Sequence, residues 1–261
     1  LLDMYMKCNS LEEASRVFDI QTNHDSISWA IMIGGYANVD GHSANALDLF
    51  TTMGVGMLPG NVSFLSVLKA CSNLDSARQV NLIHDQIVRA GLEGDISISN
   101  SLIDTFAKIG ALSEARKVFN QISDLSVVSW GAMMSGYVKN GDGLLVISLA
   151  QEMQKDCIKP DAHVFSCLLK ACAQSSSFTE GKVLHHQLRQ GGIKVDDFIG
   201  NTLLNMYATC GDIEGTYKAF ASLEDKSLPL WGVMIATCVS QENSLLAIQL
   251  YEEMQRKGIH R

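Results

Sequence analysis

Apolar side chains recur along this chain at the three-to-four-residue spacing of amphipathic helices, in paired stretches separated by Gly, Asn or Ser. The clearest pair lies within residues 96–126 and turns at Gly110. Its two apolar stripes are Leu102, Ile103, Phe106 and Ile109, then Leu112, Ala115, Val118, Phe119 and Ile122. Stripes of this width need partners, so the pattern predicts two helices joined by a short turn, an αα-hairpin.

The whole pattern repeats every 101 residues. The three tryptophans stand at 29, 130 and 231, and each lies in one of three similar segments, ISWAIMIGGY, VSWGAMMSGY and LPLWGVMIAT. The word LKAC at 68–71 recurs at 169–172. Equivalent cuts predict a partial unit and seven further hairpins of 35, 35 and 31 residues in rotation: 1–25, 26–60, 61–95, 96–126, 127–161, 162–196, 197–227 and 228–261.

Hairpins of this size cannot bury their apolar faces alone, so neighbours must stack. We therefore predict an all-α fold, a right-handed superhelical solenoid of stacked helix-turn-helix hairpins that spans 1–261 as one domain. Because the first and last units are incomplete, the chain is expected to be part of a longer array. Ser10 with Glu13 predicts a capping box at a helix start, and Asp212 takes the same place in the last short unit.

Composition narrows the class of protein. Apolar residues make up 47% of the chain and charged residues 18%, which excludes a disordered segment. No apolar run reaches the roughly 18 residues of a membrane span, so no membrane association is expected. The net charge of −8 argues against a protein that coats nucleic acid by bulk electrostatics, so any RNA contact must be local.

Catalytic and metal-binding patterns are missing from the sequence. The seven cysteines contain no CxxC pair and no Cys/His cluster at zinc spacing, and they are expected to be reduced and buried, including the recurring Cys71, Cys172, Cys8 and Cys210. The sequence holds no GxxxxGK[ST], HExxH or GxSxG motif, and no histidine opens the HxE of a zinc deaminase. We expect no enzymatic activity and no cofactor. The tryptophans are expected to pack in the core, and His84, His185 and His186 to be ordinary helix residues.

The words LLDMYMKCNSLEEASRVFD, VVSWGAMMSGYVKNG, VFSCLLKACAQ and GKVLHHQLRQGGIKVD resemble pentatricopeptide repeats (PPR) of the plant organelle type. The rotation of 35, 35 and 31 residues is similar to the subclass of that family in which P, L and S motifs alternate. The predicted divisions would then be S (partial), P, L, S, P, L, S and P in chain order. The resemblance implies binding of single-stranded RNA in a mitochondrion or chloroplast, most often for C-to-U editing. It also implies a monomer that works with a deaminase or accessory factor supplied in trans.

In that family each motif reads one base with its fifth and last residues, and the second residues of consecutive motifs sandwich the base. The base-reading residues that the resemblance implies here are Asn100, Ser126, Asn201, Ser227, Ser166, Asp196 and Asp161. The base-sandwiching residues that it implies are Ile27, Val128 and Phe198. The family usually has Asn where this chain has Ala30, Gly131 and Gly232, which predicts patchy base reading.

Two alternatives stay open at this point. Asn100 and Asn201 lie in the first turn of a helix, where Asn is commonly a local hydrogen-bonding residue instead of a ligand contact. A helical array of this kind also serves as a protein-interaction scaffold with weak or no RNA binding, which the net charge and the missing asparagines favour. RNA binding predicts that Lys and Arg gather beside Asn100 and Asn201, whereas a scaffold predicts an apolar or acidic surface there.

Overall fold

The computed structural model describes residues 1–21, 23–193, 195–223 and 225–259, without the side chains of 54–56. The described residues leave out 22, 194, 224, 260 and 261, which belong to the predicted divisions 1–25, 162–196, 197–227 and 228–261. The described part of the chain is helical throughout and contains no strand. Its helices are α1 Leu2–Lys7, α2 Leu11–Ile20, α3 Ser26–Asn38, α4 Ser43–Gly56, α5 Asn61–Leu74, α6 Ala77–Arg89, α7 Ile96–Lys108, α8 Leu112–Gln121, α9 Val127–Lys139, α10 Gly143–Lys155, α11 Ala162–Gln174, α12 Phe178–Gln190, α13 Asp197–Thr209, α14 Ile213–Ser222, α15 Leu228–Ser240 and α16 Ser244–Arg256.

The prediction of an all-α fold of stacked hairpins is confirmed. Each division from 26–60 onward holds two helices, while the assignment of P, L and S motifs stays a prediction. We call the odd-numbered helices A helices and the even-numbered helices B helices. The chain forms two compact units, residues 1–136 and 137–261. Successive A helices pack against each other from α1 to α7 and from α11 to α15, and α2, α4, α6, α12 and α14 each pack against the A helices before and after them.

Large aromatic side chains fill the junctions between hairpins. Trp130 and Trp231 are fully buried and meet Phe119 and Phe220 edge to face, with ring centroids 5.0 and 4.8 Å apart. Both tryptophans are core residues, as predicted. Trp29 is half-buried, so it packs in the core only in part, and it meets Phe18 edge to face with ring centroids 4.9 Å apart. The His24 ring is stacked on Phe18 at 3.9 Å. In the described helices, none combines the length and apolar character that a membrane crossing needs.

The turns differ from expectation at four residues, one of which is Cys210, half-buried where burial was predicted. Cys71 and Cys172 are buried as predicted, but Cys8 and Cys157 are exposed, because each lies in a turn after a helix has ended. Ser10 is the residue before α2, yet its hydroxyl makes no capping bond. Asp212 caps α14 as predicted, accepting from the Gly215 N–H at 2.9 Å.

Candidate nucleic-acid interface

Side chains at the second position of the predicted motifs all project from the first turn of an A helix into solvent. The positions are Ile27, Val62, Ser97, Val128, His163, Phe198 and Pro229. Ile27, Val128 and Phe198 expose 65%, 60% and 53% of their surface. Large exposed apolar side chains therefore recur at the same position of several hairpins, as Leu144 and Leu245 do on the B helices. We call the exposed side of the A helices the A-helix face.

One turn further along their helices, Asn100 and Asn201 carry a polar atom without a partner. Both residues are half-buried, and the Oδ1 atom of each is shielded from water and accepts no hydrogen bond within the described part of the chain. An unsatisfied buried polar atom costs about 1 to 3 kcal/mol. Neither oxygen serves as a local cap. An external donor could reach either one only if its side chain turned outward from the half-buried position.

Aspartates at the last position of a predicted motif cap the following A helix. Asp95, Asp161 and Asp196 accept hydrogen bonds from backbone N–H groups three residues on, at 3.0, 2.8 and 2.9 Å. Asp25 does the same for Ser28, whose hydroxyl and backbone N–H together lower the pKa of that carboxyl. Because capping takes one carboxylate oxygen, the second oxygen is fixed beside the first turn of the helix. Sequence reasoning missed this role, although Asp directly before a helix start signals it.

The two Asn and Ser pairs differ in their hydroxyl groups. Ser126 Oγ accepts a hydrogen bond from the Ser129 N–H at 3.3 Å and lies 3.1 Å from Ser129 Oγ. Ser227 Oγ is shielded from water and has no partner in the described chain. Leu230 stands in the last copy where Ser129 stands in the earlier one, so no second hydroxyl is present there. The pair Asn201 and Ser227 therefore has two unpartnered polar atoms, whereas Asn100 and Ser126 have one.

The structure places Ser166 differently from the other implied base-reading residues. Its side chain is 1% exposed, and its Oγ lies 3.4 Å from Thr202 Oγ1 of the next A helix. Ser166 is therefore packed between two A helices. Its hydroxyl is not exposed to a ligand, which counts against the prediction that Ser166 reads a base. Gly131 is buried, and Ala30 is half-buried. Gly232 is exposed, with open space where a side chain would begin.

Charge along the A helices is nearly balanced. Within their bounds the A helices carry five lysines and no arginine against three aspartates, a sum of +2. The capping aspartates Asp25, Asp95, Asp161 and Asp196 stand directly before four of these helices and bring the sum to −2. Lys170 Nζ lies 5.0 Å from the centre of the Phe198 ring, and Lys69 donates to Asn38 Oδ1 at 2.5 Å. Lys108 is paired with Asp104 at 2.7 Å. The cations are few, but they lie on the helices that carry the exposed apolar positions.

Titratable groups elsewhere do not form a reactive cluster. No group of three His, Cys, Asp or Glu side chains able to hold a metal ion occurs among the described residues. Burial raises the pKa of the Cys71, Cys167 and Cys172 thiols to about 11, so they are protonated and unreactive at neutral pH. Burial, with a smaller contribution from nearby Arg189, lowers the pKa of His185, whose Nδ1 lies 2.9 Å from Tyr207 Oη.

Sequence comparisons identify the repeats. The profile of the PPR repeat family matches residues 125–174, and the PPR repeat profile matches residues 97–127 and 230–259. Pentatricopeptide repeat-containing protein At2g33680 of Arabidopsis thaliana is 32% identical over 260 residues, which are 99% of this chain and 36% of that protein. The chain belongs to the pentatricopeptide repeat family. A second Arabidopsis PPR protein, At3g09040, mitochondrial, is 32% identical over 262 residues, which are 99% of this chain and 25% of its own length.

This PPR chain spans little more than a third of the length of the curated relatives it matches first. Its fold is similar to the crystal structure of the pentatricopeptide repeat protein PPR10 in complex with an 18-nt psaJ RNA element. The TM-score is 0.84 at 16% identity, covering 99% of this chain and 40% of PPR10. The likeness shows that this PPR chain has the PPR10 fold.

Proposed function

We propose that this chain binds single-stranded RNA along its A-helix face, one base per hairpin, in a mitochondrion or chloroplast. The bound RNA is selected as a target for C-to-U editing or another processing step. The chemistry is supplied in trans by a deaminase or accessory factor, and the chain acts as a monomer. The reading residues are Asn100 with Ser126 and Asn201 with Ser227, supported by the capping carboxylates of Asp161 and Asp196. Ile27, Val128 and Phe198 provide the apolar surfaces on which bases stack.

The observation that carries the proposal is the pair of unpartnered Oδ1 atoms on Asn100 and Asn201. The two residues are three hairpins apart, and each lies one turn from an exposed second-position side chain. Unstacked bases present amino and imino donors on their Watson–Crick edges, which match an amide oxygen. A base edge would satisfy an atom that the folded chain leaves without a partner.

The names of similar proteins support both RNA binding and an organellar location. The PPR10 structure contains an RNA element, and PPR relatives of this chain bear the names At3g09040, mitochondrial, and At4g18520, chloroplastic. The lysines of the A helices supply local positive charge for phosphates without a basic chain overall. Because few lysines are available, affinity should depend on salt less steeply than for a strongly basic protein, at about −0.7 in log–log slope per phosphate neutralised.

Fluorescence anisotropy tests the binding directly. The wild type and the double variant Asn100→Ala/Asn201→Ala are titrated into labelled C-rich, U-rich and A-rich single-stranded RNAs at several salt concentrations. Selective binding that weakens in the double variant is expected. Asn81→Ala serves as a control for binding, because Asn81 is exposed on the B helix α6 and lies outside the A-helix face. Absence of binding to any RNA at up to about 50 μM, by a chain shown to be helical and monodisperse, would refute the proposal.

The editing role has its own test. Organellar transcripts are sequenced in cells with and without the protein. Cytidines that stay unedited when the protein is removed would support site selection for editing. Altered splicing or transcript ends, with editing unchanged, would assign the bound RNA to another processing step.

A cavity away from the A-helix face favours a second candidate function, a protein-interaction scaffold. Its volume is about 710 Å³, and it lies among α10, α11 and α12, with Ile147, Phe165, Leu168 and Val183 in its lining. This apolar cavity, lined by two B helices and the buried side of α11, is suited to a side chain of a partner protein. The scaffold function is preferred if the anisotropy series detects no RNA binding.

A further inference from the structure

The cavity of about 710 Å³ among α10, α11 and α12 lies in a part of the chain that has an internal copy. In each copy two B helices pack against the A helix between them: α4 and α6 against α5 in the first, α10 and α12 against α11 in the second. Helices α4 and α10 begin at Ser43 and Gly143, and each has a buried methionine ten residues on, Met53 and Met153. The two copies can therefore be compared residue by residue.

An aromatic ring fills the equivalent place in the first copy. Phe50 of α4 is fully buried and meets Phe64 of α5 edge to face, with ring centroids 5.4 Å apart. In the second copy Ala150 stands in the place of Phe50 and Phe165 in the place of Phe64, and both line the cavity. The second copy therefore keeps one ring of the pair and has a methyl group instead of the other.

The replacement leaves apolar side chains uncovered. Leu47 of α4 is buried, whereas Ile147, at the equivalent position of α10, is half-buried and lines the cavity. Val183 of α12 lies in the same lining and is exposed. Side chains that face empty space lose dispersion contacts, which an apolar ligand would restore. An apolar cavity that arises when alanine replaces a large side chain can bind an aromatic molecule instead.

Charge and volume narrow the class of ligand. Among the described residues the charged side chains of the lining are Lys159 and Glu180, one of each sign, and its other polar side chains include Gln151, Gln154, Thr179 and Gln187. Amides and a hydroxyl can hydrogen-bond to one polar substituent of an uncharged ligand. A cavity of about 150 Å³ is enough for benzene, and small-molecule sites span about 300 to 1,000 Å³. The volume therefore suits a whole small molecule larger than a single ring.

We propose that the cavity among α10, α11 and α12 binds an uncharged aromatic small molecule. Its ring packs on Phe165 in the place that Phe50 takes in the first copy, and its polar substituent faces the glutamines of the lining. The cavity lies away from the A-helix face, so this site does not depend on the proposed binding of RNA.

Nile red, an uncharged aromatic dye whose fluorescence rises in apolar surroundings, is the probe. Titration into this chain should show saturable binding at a single site, and indole should displace the dye. Ala150→Phe introduces the residue of the first copy, and its ring takes the space of the ligand's ring. The variant should therefore bind Nile red about ten-fold more weakly than the wild type.

Ala44→Phe is the matched control, because it makes the same change at an exposed position of α4 that does not line the cavity. It should bind Nile red as the wild type does. Circular dichroism verifies the folding of both variants.

A second measurement needs no variant and keeps the proposal testable if Ala150→Phe does not fold. Cys157 is exposed and lines the cavity, whereas Cys8 is exposed in the other compact unit. Indole should slow the reaction of the Cys157 thiol with N-ethylmaleimide in proportion to its occupancy of the site. The rate at Cys8, followed in the same sample by mass spectrometry of peptides, should not change.

Three results would overturn the proposal. One is equal Nile red affinity for the wild type and a folded Ala150→Phe, and another is a Cys157 labelling rate that indole does not change. The third is the absence of displacement of Nile red by indole at up to about 1 mM. That result would leave the cavity to the side chain of a partner protein. None of these results alters the expectation for RNA binding, which the anisotropy series tests separately.

Discussion

Replacing Asn201 by alanine should stabilise the free protein and weaken its complex with RNA. The Asn201 Oδ1 atom is buried and unpartnered, so its removal relieves part of a desolvation cost of about 1 to 3 kcal/mol. Alanine is also a better helix former than asparagine by roughly 0.6 kcal/mol. The residue is half-buried on the A-helix face, so the substitution opens little internal space. We expect the free energy of unfolding to rise by about 1 to 2 kcal/mol.

The RNA complex should respond in the opposite direction. If a base donates to Asn201 Oδ1, the alanine variant loses that hydrogen bond, worth about 1 to 2 kcal/mol. The dissociation constant should then rise by about 5- to 30-fold. Gain of stability with loss of affinity is the pattern expected of a binding residue and not of a packing residue.

Urea unfolding followed by circular dichroism measures the first effect, and anisotropy with the preferred RNA measures the second. Asn205→Ala separates the contributions, because this exposed residue of the same helix gains helix propensity without relieving a buried atom. Asn201→Ala should therefore stabilise the chain more than Asn205→Ala. Equal urea midpoints for the two variants would refute the reasoning about the buried atom, and an unchanged affinity would refute its role in binding.

Three further predictions concern the helix starts and one histidine. Ser126→Ala should lower the free energy of unfolding by about 1 kcal/mol through loss of its cap, whereas Ser227→Ala should not lower it; matching urea midpoints would contradict this. Asp196→Ala should cost about 1 kcal/mol, and Asp196→Asn, which keeps an acceptor, should cost less in the same urea assay; equal costs would exclude capping as the cause. The lowered pKa of His185 means that the unfolded state binds the proton first, so its contribution to stability is lost as pH falls below about 6.5. His185→Gln should flatten the urea-derived stability profile between pH 7.5 and 5.5, and an unchanged profile would show that the imidazole titrates equally in both states.

The helical hairpins were predictable because their signal is spread over many residues. In the hairpin 96–126, the predicted stripe residues Phe106 and Phe119 are buried, and the turn at Gly110 lies between α7 and α8. Ile122 was placed on the second helix, but α8 ends at Gln121. A stripe specifies which side of a helix is covered, while the last turn depends on local hydrogen bonds that the stripe does not encode.

The candidate site was less accessible to sequence reasoning. Equivalent spacing placed Asn100 and Asn201 together with their serines, but it gave Ser126 and Ser227 the same role. Their hydroxyl groups differ because a single residue three places on is Ser129 in one copy and Leu230 in the other. Hydrogen-bond satisfaction depends on such individual neighbours and on distances of a few tenths of an ångström, which periodicity does not contain.

The packing between neighbouring hairpins also bears on how this chain folds. Side-chain hydrogen bonds from one hairpin to the next join residues only 21 to 37 positions apart among the described residues, as for Ser15 with Tyr36 and Thr105 with Leu68. Contacts of such short range have a low loop-closure entropy, so folding does not have to wait for distant parts of the chain. Each hairpin can therefore fold onto its predecessor as the chain emerges from a ribosome, and hydrogen exchange should show opening in local segments instead of all at once.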